Sequence, residues 1–491
     1  MINKITPEAA GVSSREVLRF IKTFDDYNIP LHSIIMSRGD DIYAECYYAP
    51  FNESFKHRMY SVSKSFIAMA VGVAVTEGLI SLDDIVSDYF PEFKNENFDE
   101  LNRECTVRDM LKMKSNIGTG VMWWGKYKSR VEAYYSMKSS KIPDTLFMYD
   151  SIGCFLLGCI IEKLTGKTFL EYLKEKVLLD IGFSPESFTL YEPGGYTVGD
   201  SGVVCTARDL WLFARFIMKN GEWGGKQYID RQFMLDAISY QSYSGIGSRY
   251  EDPMARGYGY LIWKTHKDGF SLIGMGDQLA ICDLKRDLCL VITADNQDST
   301  EARSLIFHEF YNHFINNVNN APLPTNDECL MDLTEYLASR TLACVRGESA
   351  TTLASKINGV KYNASENALG VVSFTLNFTD GDGTLNIEFK DKNALFNFGI
   401  GKNKLAKFSY GTRARADMMG VYEDGAYNCA ISGAWVDECT FAVRAQVIDT
   451  YFGSACAYLS FKDKRATLAL SRNGQYVFDG MCGYVTAKSE L

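Results

Sequence analysis

The hydrophobic pattern of this chain changes its period about two-thirds of the way along, and that change limits the fold more than any other feature. From residue 346 onwards, short runs of alternating apolar and polar residues recur at even spacing, with turn sequences such as Asn473-Gly474 between them. Alternation with a period of two is typical of strands that bury one face. About eight such runs predict a small all-β barrel or sandwich. The predicted strands are Val371–Phe378, Thr384–Phe389, Ala394–Phe398, Tyr427–Ala434, Thr440–Ile448, Ser454–Phe461, Arg465–Leu470 and Tyr476–Met481.

The residues before position 320 combine strand-like and helix-like segments without regular βαβ alternation. Strand-like runs lie near both ends of this region, and the middle is mainly helical, which predicts an α+β domain. The predicted strands are Leu31–Ser37, Asp41–Tyr47, Tyr258–Lys264, Phe270–Ile273, Gln278–Cys282 and Leu288–Ala294. The predicted helices are Ser14–Tyr27, Ser61–Glu77, Leu82–Tyr89, Thr106–Lys114, Ser151–Thr165, Thr206–Asn220 and Glu301–Asn316.

The length of 491 residues exceeds what one hydrophobic core supports, so more than one domain is expected. Pro322 and Pro324 stand among polar residues, as in a linker, and a helix is predicted near Asp332–Cys344. We therefore predict a domain at 1–320, a linker and helix at 321–345, and the β domain at 346–491.

Charge and cysteine content narrow the possible partners and compartment. The net charge is −10 and no run of five Lys or Arg residues is present, so neither nucleic acid nor an anionic membrane is expected as a partner. The most apolar window, Phe66–Val75, is about half of the ~20 residues that a membrane span needs. The 13 cysteines form no C-x-x-C pair, and Met1–Pro7 lacks a signal-peptide pattern. Both features favour reduced thiols in the cytoplasm.

The segment with the clearest chemical meaning is Ser61-x-x-Lys64, at the start of the apolar predicted helix. Three residues along a helix bring two side chains to one face, with Cβ atoms about 5–6 Å apart. A serine hydroxyl becomes a strong nucleophile when a neighbouring base takes its proton. Lysine serves as that base if burial and local positive potential lower its pKa from ~10.4, and the apolar run Phe66–Val75 predicts the low-dielectric surroundings.

Five ordered blocks between residues 5 and 317 resemble the penicillin-binding protein and serine β-lactamase superfamily, and within it the class C β-lactamase-like esterases and peptidases. The resemblance implies an antiparallel sheet flanked by helices, with an all-helical lobe. The blocks are Tyr60-Ser61-Val62-Ser63-Lys64-Ser65-Phe66, Thr106–Ser115, Phe147-Met148-Tyr149-Asp150-Ser151, Thr206-Ala207-Arg208-Asp209-Leu210 and Gly257-Tyr258-Gly259-Tyr260 with Trp263.

The resemblance also implies roles for individual residues. Ser61 is implied as the nucleophile and Lys64 as its base, and Tyr149 as the group that passes a proton to the leaving group and then helps to activate water. Ser151 takes the place where asparagine is more common in the family, and it is expected to bind Lys64 or the substrate with one donor instead of two.

The third family block is where this sequence departs from the pattern. Leu272-Ile273-Gly274-Met275-Gly276-Asp277-Gln278 carries no Lys or His two residues before Gly274. Because that cation helps to hold a substrate carboxylate, its absence argues against β-lactamase and carboxypeptidase activity. The backbone N–H groups of Ser61 and Met275 are still expected to form an oxyanion hole.

Three further side chains are candidates for substrate contact. Asp277 replaces a usual glycine, and it either repels anionic substrates or recruits an ammonium group, or it is a turn residue that faces water. Trp123 and Trp124 lie where the family places a substrate-lining loop, and they are expected either there or in the core.

The β domain resembles the lipocalin-like domain appended to some of these hydrolases. Ser432-Gly433-Ala434-Trp435, Gln446–Thr450 and Phe461 carry the likeness. We expect this domain to shape or cover the mouth of the active site without doing chemistry.

Two other motifs are set aside. Gly199-Asp200-Ser201-Gly202 is similar to the trypsin-like serine motif but lacks its neighbours, and His308-Glu309 with His313 is not the zinc-binding H-E-x-x-H. No metal or cofactor is expected.

The first hypothesis is therefore an acyl-transferring serine hydrolase that acts on a small ester, amide or short peptide. A D-amino-acid peptidase, a weak β-lactamase and a non-catalytic ligand-binding relative stay open as alternatives. The sequence leaves the oligomeric state undetermined.

Overall fold

A computed structural model describes residues 2–94, 98–117, 127–192, 194–245, 253–265, 268–297, 300–410, 426–450, 452–474, 477–478 and 480–490. The chain forms two compact units. Unit 1 comprises Met1–Phe24, Leu31–Tyr48 and Asn52–Arg340, and unit 2 comprises Asp25–Pro30, Ala49–Phe51 and Thr341–Leu491.

Unit 1 is built on a seven-stranded sheet that joins the two ends of its sequence. Strand β2 pairs with β12, so that Ile35 lies opposite Val291, and the order across the sheet is β1-β3-β2-β12-β11-β10-β9. All pairs in this sheet are antiparallel except β1 with β3. The strands of unit 1 are β1 (Asn3–Lys4), β2 (Leu31–Arg38), β3 (Asp41–Tyr47), β4 (His57–Arg58), β5 (Phe188–Thr189), β6 (Val203–Cys205), β7 (Glu222–Trp223), β8 (Lys226–Gln227), β9 (Trp263–Lys264), β10 (Gly269–Gly274), β11 (Gln278–Asp283) and β12 (Leu288–Ala294).

Helices cover this sheet and form a helical lobe around α2. Helix α2 is apolar on all sides, and its residues from Ser63 to Ala74 are buried, as the composition of a central core helix requires. Phe66 stacks on Phe213 of α7 with ring centroids 3.7 Å apart. The helices of unit 1 are α1 (Ser14–Asp26), α2 (Ser63–Thr76), α3 (Val107–Leu111), α4 (Arg130–Tyr135), α5 (Ser151–Thr165), α6 (Phe169–Leu173), α7 (Ala207–Met218), α8 (Arg231–Ile238), α9 (Thr300–Phe310) and α10 (Asp327–Ala338).

The predicted α+β class and the antiparallel sheet with flanking helices are confirmed. None of the described helices has both the length and the apolar character needed to cross a membrane.

Three predicted elements are wrong in extent. The helix predicted at Leu82–Tyr89 is a 3₁₀ turn at Val86–Tyr89, because Ile85 instead forms a β-bridge to Thr106. The strand predicted at Tyr258–Lys264 is reduced to β9, since Leu261 has a φ of +54°, in the left-handed region that no strand contains.

The third is the helix predicted near Asp332–Cys344. It runs instead over Asp327–Ala338, because the Asn326 side chain caps it by accepting the Cys329 N–H at 3.0 Å.

Unit 2 contains a closed barrel of nine strands, which confirms the predicted C-terminal β-barrel. The barrel closes where β16 pairs in parallel with β18, with Gly399 opposite Ser432. Strand β17 is antiparallel to another part of β18. The strands of unit 2 are β13 (Lys361–Ala364), β14 (Val371–Thr379), β15 (Asp382–Phe389), β16 (Asn393–Ile400), β17 (Lys404–Ser409), β18 (Ala426–Trp435), β19 (Thr440–Val447), β20 (Ser454–Lys462), β21 (Arg465–Asn473) and β22 (Gly483–Ser489), and its α-helix is α11 (Ala354–Ile357).

The barrel interior is filled with aromatic rings. Phe441 lies at the centre, with ring centroids 5.1 Å from Phe378 and 5.3 Å from both Phe398 and Trp435. A closed barrel of this size fits a lipocalin-like domain. The sequence reading missed strands β13, β17 and β22, and the last predicted strand, Tyr476–Met481, has no strand among its described residues.

Candidate active site

Ser61 lies in a strained turn immediately before α2. It is the middle residue of a 3₁₀ turn at Tyr60–Val62, and Tyr60 has a φ of +45°, which non-glycine residues rarely adopt. The preceding residue, Met59, donates its N–H to the Val203 carbonyl at 2.8 Å. Backbone strain of this kind persists only where the surrounding structure enforces it, and it concentrates at functional sites.

Lys64 lies one helical turn after Ser61 and is almost fully buried. Its Nζ lies 3.0 Å from the Ser61 Oγ and donates to the Asp200 carbonyl at 2.8 Å. The side chain is 1% exposed. The predicted spacing on one helix face therefore gives a direct hydrogen bond between the two side chains.

Tyr149 approaches Lys64 from the start of α5. The Lys64 Nζ lies 5.0 Å from the centroid of the Tyr149 ring, and that ring stacks on Trp263 at 5.6 Å with an interplanar angle of 17°. The next residue, Asp150, caps α5 by accepting the Gly153 N–H at 3.0 Å. The cap fixes where the helix begins, and so where Tyr149 stands.

Ser151 is the first residue of α5 and is buried, with 7% of its surface exposed. Trp123 and Trp124 lie outside the described residues. Their contact with a substrate stays a prediction.

The electrostatic environment of Lys64 differs from the expectation drawn from sequence. Burial works to lower the pKa of Lys64, but the negative potentials of Tyr149 and Asp200 outweigh burial, and the pKa is raised above its ordinary value. Asp200 in turn forms a buried ion pair with Arg130, with Nη1 and Oδ1 2.5 Å apart. The expected lowering of the Lys64 pKa does not hold, because Tyr149 and the Asp200 carboxylate together favour the ammonium form more than burial disfavours it.

The predicted oxyanion-hole residues come from two adjacent segments. Strand β10 ends at Gly274, where an added Cβ would lie only 2.3 Å from the Met59 carbonyl oxygen. This close approach requires glycine and brings the turn after β10 against the turn that holds Ser61. The assignment of the Ser61 and Met275 N–H groups to an oxyanion hole stays a prediction.

Asp277 points into the protein. Its side chain is fully buried, its Oδ1 accepts Arg303 Nε at 2.7 Å and its Oδ2 accepts Asn296 Nδ2 at 3.0 Å. Burial raises the pKa of this carboxyl group, and the Arg303 charge offsets part of the effect. Asp277 therefore does not face water as a turn residue, because the turn directs it toward Arg303. Its predicted contact with a substrate stays a prediction.

Sequence reasoning missed three charged residues around this site. Asp200 stands in the Gly199–Gly202 segment that was set aside as an incomplete trypsin-like motif, and its polar, glycine-rich setting was a usable signal. Arg130 and Arg303 carried no signal, because each meets its carboxylate only in the folded chain. Within the described residues, no cluster of His, Cys, Asp and Glu is arranged to hold a metal ion.

Relatives of this chain include two bacterial enzymes. It is 24% identical over 222 residues to the 6-aminohexanoate-dimer hydrolase of Paenarthrobacter ureafaciens, an alignment covering 42% of this chain and 57% of the relative. It is 30% identical over 147 residues to the N-acetylmuramyl-L-alanine amidase of Bacillus subtilis strain 168, covering 25% and 33%. The chain thus spans about half or less of the length of these relatives.

Solved structures share the fold. A candidate 6-aminohexanoate-dimer hydrolase from Bacillus anthracis superposes with a TM-score of 0.53 at 19% identity, over 66% of this chain and 88% of the other. A penicillin-binding protein homologue from Caulobacter crescentus superposes with a TM-score of 0.51 at 15% identity, over 64% and 99%. The Beta-lactamase family profile matches residues 17–308, which is more than half of the chain. With the fold and this match together, the chain belongs to the Beta-lactamase family.

Proposed function

We propose that this serine hydrolase works through an acyl-enzyme on Ser61, with Lys64 as the base and Tyr149 as the proton shuttle, on a small ester or amide. The observation that carries the proposal is the 3.0 Å contact between Lys64 Nζ and Ser61 Oγ, beside the ring of Tyr149. The side chains of Ser61, Lys64 and Tyr149 thus bring a nucleophile, a base and a phenol together at one place in the described part of the chain.

The reaction begins when neutral Lys64 accepts the Ser61 hydroxyl proton and the oxygen attacks the substrate carbonyl carbon. The carbonyl oxygen becomes an oxyanion, for which the N–H groups of Ser61 and Met275 are the proposed donors. The bond to the leaving group then breaks, and the leaving group takes a proton through Tyr149. Water, activated by the same groups, cleaves the acyl-Ser61 ester and restores the hydroxyl.

The proposed substrate class is supported by the residue at position 272 of strand β10. Leu272 occupies the place where related enzymes carry a cation for a substrate carboxylate. This favours esters and amides that need no carboxylate contact at this position over β-lactams and D-peptides, which present a carboxylate there. The names of the two relatives support the amide part of this class, since one is a hydrolase of 6-aminohexanoate dimer and the other an amidase.

Labelling with a fluorophosphonate tests the proposal. Attack by Ser61 breaks the P–F bond and leaves a phosphonyl adduct, which intact mass measurement and peptide mapping detect. We expect one adduct on Ser61 in the wild type, none in Ser61→Ala, and loss of p-nitrophenyl acetate turnover in that variant.

Ser63→Ala is the matched control, because Ser63 lies two residues further along and its hydroxyl accepts the Val203 N–H at 3.0 Å. We expect Ser63→Ala to keep the adduct on Ser61. Folded wild-type protein that acquires no adduct and hydrolyses no member of an ester, amide, D-dipeptide and β-lactam panel would instead support a ligand-binding relative. Turnover confined to the D-dipeptide or β-lactam would make it a peptidase or β-lactamase.

A further inference from the structure

The turn that carries Met275 is fixed by hydrogen bonds to its carbonyl groups. The Gly274 carbonyl accepts the Asp277 N–H at 3.1 Å, and the Met275 carbonyl accepts the Gln278 side-chain amide at 3.3 Å. The Gly274 carbonyl and the Met275 N–H belong to one planar peptide group. The bond to the Gly274 carbonyl therefore also sets the direction of the Met275 N–H.

A buried charged cluster holds the far side of the same turn. Arg303 of α9 and the side chain of Asn296 each donate to one oxygen of the Asp277 carboxylate, at 2.7 and 3.0 Å. The backbone N–H of Asn296 also donates to the Gly276 carbonyl at 3.1 Å. The cluster thus joins the turn to helix α9 and to the segment that follows β12.

The left-handed backbone conformation of Asp277 is a second reason why its side-chain hydrogen bonds matter for the turn. Asp277 has a φ of +67° and Gly276 a φ of +74°, so two successive residues are left-handed. Aspartate adopts that conformation only at some cost, and the cost is balanced here by its two side-chain bonds.

We propose that Arg303, Asp277 and Asn296 are positioning residues that hold the Met275 N–H toward the substrate oxyanion. None of the three contacts the reacting atoms, and each acts through the turn. Without Arg303, the fully buried Asp277 carboxylate loses its cation and either takes up a proton or moves toward water, and in both cases the turn loses the ion pair that holds it. A shift of about 1 Å at a reacting centre costs on the order of 100-fold in rate.

The inference rests on the proposed function, so the experiment first establishes Ser61 labelling in the wild type. Arg303→Met then removes the cation at similar volume. The matched control is Arg215→Met, which removes a buried arginine that pairs with Asp287 at 2.5 Å on a different part of the sheet. Both variants are assayed for kcat and KM on p-nitrophenyl acetate, for the rate of phosphonylation, and for thermal stability.

We expect Arg303→Met to lower kcat and the phosphonylation rate by about 10- to 100-fold, with KM changed less than about 3-fold, since the lost donor acts in the transition state. Arg215→Met should lose comparable stability and keep kcat within about 2-fold. The double variant Asp277→Gly/Arg303→Met, which has no unpaired charge and keeps the left-handed backbone, should recover part of the lost kcat.

The outcomes separate the two proposals. Absence of a Ser61 adduct in the wild type defeats the proposed function. A labelled wild type with equal kcat in Arg303→Met and Arg215→Met overturns the positioning role. A double variant no more active than Arg303→Met also overturns it, because the unpaired carboxylate would then not be the cause of the loss.

Discussion

Lys64 lies between two opposing influences on its charge. Burial disfavours the ammonium form, while Asp200 and Tyr149 favour it, and the second influence prevails. The raised pKa means that only a small fraction of molecules holds a neutral Lys64 near pH 7. Because the neutral amine is the form that accepts the Ser61 proton, acylation should accelerate as the pH rises.

The variant Asp200→Asn tests this assignment. Removing the carboxylate lowers the Lys64 pKa, and the Arg130 charge, no longer balanced, acts in the same direction. We expect the rising limb of the phosphonylation rate to shift to lower pH in this variant. The measurement is the rate from pH 6 to 10 on protein confirmed to be folded. An unshifted limb would mean that another group is the base.

At the scale of elements, the short strand β4 fixes the turn that holds Ser61. His57 and Arg58 of β4 pair with Cys205 and Val204 of β6, which follows the segment that contains Asp200. His57 is buried, and this burial lowers the pKa of its imidazole to about 3. The pairing of β4 with β6 therefore links the turn that holds Ser61 to the segment that contains Asp200. His57, which burial keeps neutral, lies at this link.

Because His57 is buried in its neutral form, we expect the free energy of unfolding to depend on pH. Its pKa in the folded chain lies below the unfolded value of 6.5, so folding favours the neutral form. The stabilisation is complete above pH 6.5 and is lost as the pH falls toward 3, at up to about 1.4 kcal/mol per pH unit. We expect His57→Phe to flatten this dependence in urea titrations. His308→Phe, at an exposed position, should keep it, and identical slopes in both variants would contradict the assignment.

At the scale of the whole molecule, the chain forms two units with different kinds of core. Unit 1 surrounds its apolar helix α2 with other helices and a sheet, and unit 2 fills a closed barrel with aromatic rings. In the barrel, ring packing replaces the layered core because nine strands leave an interior just wide enough for side chains.

The aromatic core of the barrel is expected to stabilise unit 2. Phe441 is fully buried among three aromatic rings, so Phe441→Ala should reduce the free energy of unfolding of unit 2 by about 3–5 kcal/mol. Hydrogen exchange of the amides in β18, β19 and β20 measures the effect. Val436→Ala, at a residue that is 45% exposed, serves as control and should change it by less than about 0.5 kcal/mol. Equal protection in both variants would contradict a packed interior.

Features that depend on local periodicity and local contacts were predictable from the residues alone. Helix α5 begins and ends where predicted, at Ser151 and Thr165, because Gly166 takes the left-handed conformation that ends a helix. The contact of Ser61 with Lys64 followed from a spacing of three residues, although Ser61 lies in the 3₁₀ turn that leads into α2. The alternating runs likewise predicted most barrel strands, since the side-chain period in a strand is two.

The pairing of buried charges, in contrast, depends on the folded chain. The Asp200 carboxylate pairs with Arg130 across 70 positions, and the Asp277 carboxylate pairs with Arg303 across 26. Such pairs depend on how helices and strands pack, and no local pattern encodes them. The sign of the Lys64 pKa shift and the anchoring of the Met275 turn therefore remained beyond sequence reasoning, because both are set by buried charges brought together only when the chain folds.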